Sequence, residues 1–158
     1  MKSLFLIAST LLLLSRCQQD DIPAIGTGII NQQFELGLHE SLVLKSSTKD
    51  AEAPPLGQIT FTHLDESRCP ANAMCIRQGA AITTFQITTE PSAEAQSFRL
   101  FVGNFMPNDP RNKRNLTADT VAVQLANKAR YRLILKKVAP YPGTGEENPR
   151  ATLLLERQ

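Results

Sequence analysis

Short runs in which apolar and polar residues alternate make up most of this chain after its first 32 residues. In residues 57–64, for example, Ile59, Phe61 and His63 fall on one face and polar residues fall on the other. Alternation with a period of two is typical of a β-strand that buries one face. Nowhere beyond residue 16 does the sequence sustain the 3.6-residue apolar stripe of an amphipathic helix. The pattern therefore predicts an all-β fold.

Turn-forming residues separate seven or eight such runs. This spacing predicts one domain over residues 32–158, a β-sandwich or barrel-like arrangement of mostly antiparallel strands. The longest irregular stretch is expected at residues 103–119, with Leu116 folding back onto the domain. Strands are predicted at residues 33–38, 41–45, 57–64, 81–89, 97–102, 120–125, 131–138 and 151–155. The side chains expected in the core are Ile59, Phe61, Phe85, Ile87, Phe98, Leu100, Val121, Val123, Tyr131, Leu133, Leu135, Leu153 and Leu155.

The first 16 residues have the composition of an export signal. Lys2 supplies a positive charge, and residues 4–14 are apolar except for Ser9 and Thr10. These eleven residues would span about 16 Å as a helix, which is too short for the roughly 30 Å hydrocarbon core of a bilayer. The segment therefore predicts a signal peptide over residues 1–16.

The segment Leu14-Ser15-Arg16-Cys17 resembles the processing site of bacterial lipoproteins, in which a Leu lies three residues before the Cys that is lipidated. Arg16 departs from this pattern, because a small residue normally precedes that Cys. The resemblance implies lipidation of Cys17, a polar tether over residues 17–31, and anchoring to a membrane of the bacterial envelope, the outer membrane in particular. The alternative is an ordinary secretory signal in which Cys17 has no role.

Charge limits the partners of the processed chain. Loss of Lys2 and Arg16 would leave 15 basic and 15 acidic side chains, so net charge offers no case for nucleic-acid binding. The membrane contact that we expect is made by the N-terminal lipid. The basic residues Arg111, Lys113 and Arg114 on the long loop are candidates for contact with lipid head groups or a polyanion, and a solvated loop is the simpler interpretation.

Once Cys17 is lipidated, Cys69 and Cys75 remain as an even pair in an oxidising compartment. This predicts a disulfide that closes a small loop between two strands, stabilising the fold by about 2 kcal/mol through the unfolded state. The five intervening residues fit neither the Cys-x-x-Cys redox motif nor a zinc knuckle.

Residues 65–80 and 138–142 carry a pattern that resembles a family of small exported bacterial lipoproteins of the Bacteroidetes type, whose function is unknown. That family reads Asp-Ser-Arg-Cys-Pro, then Cys-x-Trp-x-Gly, with Val-x-Pro-Tyr-Pro near the C-terminus. Arg77 stands where the family has Trp, and Glu66 is inserted before Ser67. The resemblance implies export, a disulfide and a β fold, and it supplies no activity. The matching residues are Asp65, Ser67, Arg68, Cys69, Pro70, Cys75, Gly79, Val138, Pro140, Tyr141 and Pro142.

Arg68 admits two interpretations, because a guanidinium binds carboxylates and carbonyls in a forked geometry. The structural one is a salt bridge to Asp65 or Glu66 at the base of the disulfide loop. The functional one is recognition, in which the loop presents Arg68 to a partner as inhibitor loops present a basic residue to a trypsin-like protease. Arg77, in the same loop, is a further candidate binding residue.

No catalytic constellation or cofactor site is recognisable. His63 and Asp65, together with His39-Glu40, are the candidates for a metal site, although a histidine on an apolar strand face is more often a core residue. Ser67 lacks the Gly-x-Ser-x-Gly context of an α/β-hydrolase. We therefore expect a non-enzymatic envelope module, without cofactors, that binds a protein or a glycan. The alternatives are a protease-inhibitor-like module using the Cys69–Cys75 loop, and a metal-binding or hydrolytic protein centred on His63 and Asp65.

Overall fold

The computed structural model of this chain describes residues 26–47, 53–89, 94–104 and 116–158. Within these ranges the secondary structure consists of nine strands, without a helix. The predicted all-β fold is therefore confirmed. The strands are β1 (Gly26–Ile29), β2 (Gln33–Gly37), β3 (Ser41–Lys45), β4 (Gly57–Glu66), β5 (Ala80–Thr88), β6 (Gln96–Gly103), β7 (Asp119–Gln124), β8 (Arg130–Ala139) and β9 (Arg150–Arg157).

The strands form two sheets with the core between them. One sheet has the order β1-β3-β4-β5-β6, and the other has the order β2-β9-β8-β7. Every pairing is antiparallel except that of β1 with β3, which is parallel. The arrangement is a sandwich and not a closed barrel, because no pairing between the described strands joins the edge of one sheet to the edge of the other.

Strand β1 corrects the predicted tether and brings the number of strands in the described residues to nine. Residues 26–29 pair with β3, although residues 17–31 were expected to be an unstructured connection. The sequence pattern did not predict this strand, because its glycines have no side chains that could form an alternation of apolar and polar residues. A Cβ on Gly28 would lie 3.2 Å from the Leu44 side chain and 3.3 Å from the Phe34 ring, so two core residues fill the space instead.

The main core follows the prediction closely. All the predicted core residues are buried except Phe98 and Val121, which are partly buried and pack against the core. The rings of Phe61 and Phe85 lie opposite each other on β4 and β5, with centroids 5.0 Å apart. Buried residues that the prediction left out include Phe34, Leu36, Leu44, Leu56, Leu125, Val138 and Ala151.

His63 is not on the apolar face, because β4 contains a bulge. Phe61 pairs with Phe85 but His63 pairs with Thr84, so Thr62 is an extra residue on β4. Its hydroxyl donates a hydrogen bond to the Thr84 carbonyl at 3.1 Å. The extra residue reverses the alternation. His63 is therefore exposed, and Leu64 packs against the core in its place.

A second, smaller apolar cluster lies on the outer face of the five-stranded sheet. It consists of Ala80, Ile82 and Phe101, and Leu116 packs against it. Leu116 also forms an isolated bridge with Gly103, as expected for a residue that folds the long loop back. Residues 105–115 of that loop lie outside the described ranges.

Candidate functional site

Two loops meet at one end of the sandwich. Residues 67–79 connect β4 to β5, and residues 140–143 follow β8; together they are called the Cys-loop corner below. The Ala71 N–H donates to the Pro142 carbonyl at 2.8 Å. Gly143 has a φ of 82°, and a Cβ there would lie 2.7 Å from the Asn72 side chain and 3.0 Å from that of Pro70. Residues 70–72 and 142–143 thus form one structural unit.

The base of the Cys loop is an extension of the β4–β5 ladder. The Ser67 N–H donates to the Ala80 carbonyl at 2.9 Å, and the Cys69 N–H donates to the Gln78 carbonyl at 2.8 Å. The Ser67 hydroxyl accepts from the Ala80 N–H at 3.1 Å and lies 2.9 Å from its carbonyl. Ser67 is therefore bound into the loop base, and its hydroxyl has a structural role there.

The predicted disulfide is confirmed. Cys69 and Cys75 are bonded, with their Cα atoms 5.8 Å apart. Within the ring, the Ala73 N–H donates to the Pro70 carbonyl at 3.0 Å, which makes a tight turn. A closed ring on a hydrogen-bonded base has few backbone conformations open to it, so the direction in which each side chain leaves the ring is fixed.

Arg68 points inward and ties the two loops together. Its side chain is 9% exposed, and its Nε lies 2.8 and 3.0 Å from the two carboxylate oxygens of Glu66. Its Nη1 donates to the Val138 carbonyl at 2.9 Å, and its Nη2 contacts Glu66 and, at 3.3 Å, the Pro140 carbonyl. The guanidinium carbon lies 4.7 Å from the centre of the Tyr141 ring.

These contacts match the structural interpretation of Arg68, with Glu66 as the acidic partner. A side chain that is 9% exposed and hydrogen-bonded through Nε, Nη1 and Nη2 is not displayed to a protease. An inhibitory contact by this loop would have to use other residues. Arg68 therefore links the base of the Cys loop to the segment that follows β8.

The outward-facing part of the corner is unusually apolar for an exposed loop. Met74 and Ile76 are 103% and 104% exposed, and Tyr141 is 40% exposed. Among the described residues, these are the large hydrophobic side chains that face solvent, and all three lie at this corner. Met74 and Ile76 were not among the predicted site residues; the signal for them was two large apolar residues in a loop with no alternating pattern to bury them.

Of the other candidate residues, Arg77 lies next to Ile76 in the Cys-loop corner, whereas His63 and Asp65 are not part of that corner. Arg77 is exposed and lines a shallow cavity of about 300 Å³ with Ile76, Gln78 and Asn104. His63 and Asp65 are both exposed, and no group of three or more metal-ligating side chains occurs in the part of the chain that is described. Cys17, Arg111, Lys113 and Arg114 lie outside the described residues, as does the predicted signal peptide.

Comparisons add no relative. No protein-family model, curated protein or solved structure matches this chain. The described ranges contain no helical segment with the length and apolar character that crossing a membrane requires.

Proposed function

We propose that this protein is a non-catalytic binding module of the bacterial cell envelope, held at a membrane by a lipid on Cys17. The observation that carries the proposal is the full exposure of Met74, on the disulfide-closed ring, and of Ile76, which directly follows Cys75. Burial of such a side chain is favourable by about 1.5–3 kcal/mol, so exposing two of them on a braced loop is a cost unless a partner covers them.

The construction of the corner supports binding over catalysis. Arg68 and the disulfide remove conformational freedom from the loop before any partner arrives. A loop that is already ordered loses little entropy on binding, so more of the contact energy is retained as affinity. Two polar side chains of the corner are engaged in holding it: Arg68 contacts Glu66 and two carbonyls, and Ser67 contacts Ala80.

Export and anchoring are supported by the N-terminal sequence and by the disulfide. Disulfides persist in oxidising compartments, and residues 1–17 have the features of a lipoprotein signal. The test is mass spectrometry of the protein purified from the membrane fraction of an expressing bacterium. We expect a lipid-modified Cys17 as the first residue, and we expect Cys17→Ser to leave the membrane fraction. An unmodified N-terminus, or one at another residue, would contradict the proposal.

A further inference from the structure

We propose that a cleft beside the end of β8 binds a free α-amino-acid group, with its ammonium against Glu146 and its carboxylate against Lys137. The cleft has a volume of about 360 Å³, which lies within the range of about 300–1,000 Å³ for small-molecule sites. The inference goes beyond the proposed function, and it needs neither the lipid on Cys17 nor the exposed apolar pair. The residues that the argument uses are Arg68, Lys137, Pro140, Tyr141, Thr144 and Glu146, all of which line the cleft.

A bulge in β8 turns Lys137 out of the core and places it at the cleft. Leu135 pairs with Leu153 and Lys137 pairs with Thr152, so Lys136 is an extra residue on β8. Without this extra residue, the side chain two positions after the buried Leu135 would face the core. With it, Val138 is buried in that place and Lys137 is exposed. Bulges are frequent next to functional sites, where they redirect a side chain in this way.

Two opposite charges line the cleft without neutralising each other. Within the described part of the chain, the side chains of Lys137 and Glu146 form no ion pair or hydrogen bond with each other or with another residue. The third charged side chain, Arg68, is neutralised by Glu66. The lining is therefore dipolar and neutral overall. It suits a ligand that carries both charges better than a polyanion, which Glu146 would repel.

The wall between the two charges is held in place before a ligand arrives. The Thr144 hydroxyl donates to the Tyr141 carbonyl at 2.8 Å, which fixes the turn that leads to Glu146. The Arg68 guanidinium lies 4.7 Å from the centre of the Tyr141 ring. Pro140 and the Tyr141 ring supply apolar surface beside the charges. The ligand class is therefore an α-amino acid with an aliphatic side chain, either free or at the end of a short peptide.

Three related ligands test the two charges separately. L-leucine carries both charges, N-acetyl-L-leucine lacks the ammonium, and L-leucinamide lacks the carboxylate. Their binding to the full chain, purified as an expressing bacterium makes it, would be measured by saturation-transfer NMR. We expect leucine to bind with a Kd of about 1 mM or lower, the range open to so small a ligand. Each analogue should bind about tenfold more weakly, because it loses a charge-assisted hydrogen bond.

Matched variants locate the binding site. Lys137→Ala and Glu146→Gln should each weaken leucine binding about tenfold. Lys136→Ala and Glu147→Gln should leave it unchanged, since those neighbours are exposed and do not line the cleft. Lys137→Ala should not alter the affinity for leucinamide, because leucinamide lacks the carboxylate that Lys137 binds. All four positions are exposed, so the unfolding midpoints of the variants should match that of the parent.

Three results would each overturn the inference. The first is no saturation transfer to leucine at about 10 mM, a concentration at which a ligand with a Kd of about 1 mM occupies most sites. The second is equal affinity for leucine and its two analogues. The third is an equal loss of affinity in Lys137→Ala and Lys136→Ala. None of these results bears on the lipid anchor, which mass spectrometry of Cys17 tests separately.

Discussion

Arg68 joins parts of the chain that are 70 and 72 residues apart in sequence, because one guanidinium reaches the Glu66 carboxylate and the carbonyls of Val138 and Pro140. Lysine has one compact ammonium group and cannot donate at the same time to a carboxylate and two carbonyl groups that lie in three directions. Position 68 therefore needs arginine for its shape as well as for its charge.

Replacing Arg68 with alanine should lower the free energy of unfolding by about 2–3 kcal/mol, because charge-assisted hydrogen bonds in a largely buried site are lost together. Urea denaturation measures the change. Arg132→Ala is the matched control: Arg132 is 51% exposed and pairs with Glu156, so its loss should cost at most about 1 kcal/mol. Equal losses in the free energy of unfolding for the two variants would contradict the structural role assigned to Arg68.

Gly79 is the residue at which the loop base depends most on the absence of a side chain. Its φ is 69°, and a Cβ would lie 1.8 Å from the Ser67 carbonyl oxygen, which is itself fixed in the backbone. Gly145 has a similar φ of 84° but nothing within 4 Å of a Cβ. The two glycines therefore separate the cost of the backbone conformation from the cost of the clash.

Gly145→Ala should destabilise the protein by about 1 kcal/mol, the cost of a left-handed conformation alone. Gly79→Ala should destabilise it by more than about 2 kcal/mol, since the loop base must also move apart. Thermal unfolding of both variants tests this. Similar decreases in the thermal unfolding midpoint for the two variants would mean that the Cys-loop base accommodates a Cβ at Gly79 without further loss of stability.

Among the secondary-structure elements, β4 shows what a single inserted residue does to a strand. Before the bulge its odd-numbered residues face the core, and after it the even-numbered residue Leu64 does. His63 is moved to the surface by the same step. This removes the apolar setting that the alternation had predicted for the histidine.

Truncating the two neighbours should distinguish the two registers. Leu64→Ala should cost about 1–2 kcal/mol, because Leu64 is partly buried against the core, whereas His63→Ala should change stability by less than about 0.5 kcal/mol. Denaturant titration of the pair is sufficient. A larger loss of stability for His63→Ala than for Leu64→Ala would indicate that His63 faces the core, as an uninterrupted alternation predicts.

The elements were predictable to the extent that alternation marks them. The eight predicted strands correspond to β2–β9, because each carries apolar residues two apart. β1 was missed because Gly26 and Gly28 stand where alternating side chains would be, and its stability comes from pairing with a distant strand. The meeting of the Cys loop with Tyr141 and Pro142 was equally hidden, since it depends on strand order and not on local pattern.

For the molecule as a whole, an open sandwich must hold its two sheets together where no strand pairing crosses between them. Asp119, at the start of β7, is buried, and its carboxylate accepts the N–H groups of Phe101 on β6 at 3.1 Å and of Thr120 at 2.9 Å. β6 and β7 are edge strands of different sheets. This carboxylate therefore links the two sheets at one edge through hydrogen bonds, in addition to the apolar packing of the core.

Asp119→Ala should lower the free energy of unfolding by about 2 kcal/mol, because two backbone donors lose a charged acceptor in a buried setting. The effect should also be localised: amide hydrogen exchange should accelerate at Phe101 and along β6 and β7 before it does in β4 and β5, which lie within the first sheet. Asp65→Ala provides the control, since that carboxylate is exposed and its removal should cost less than about 0.5 kcal/mol. Uniform acceleration across both sheets would mean that Asp119 contributes to global stability without acting as a link between their edges.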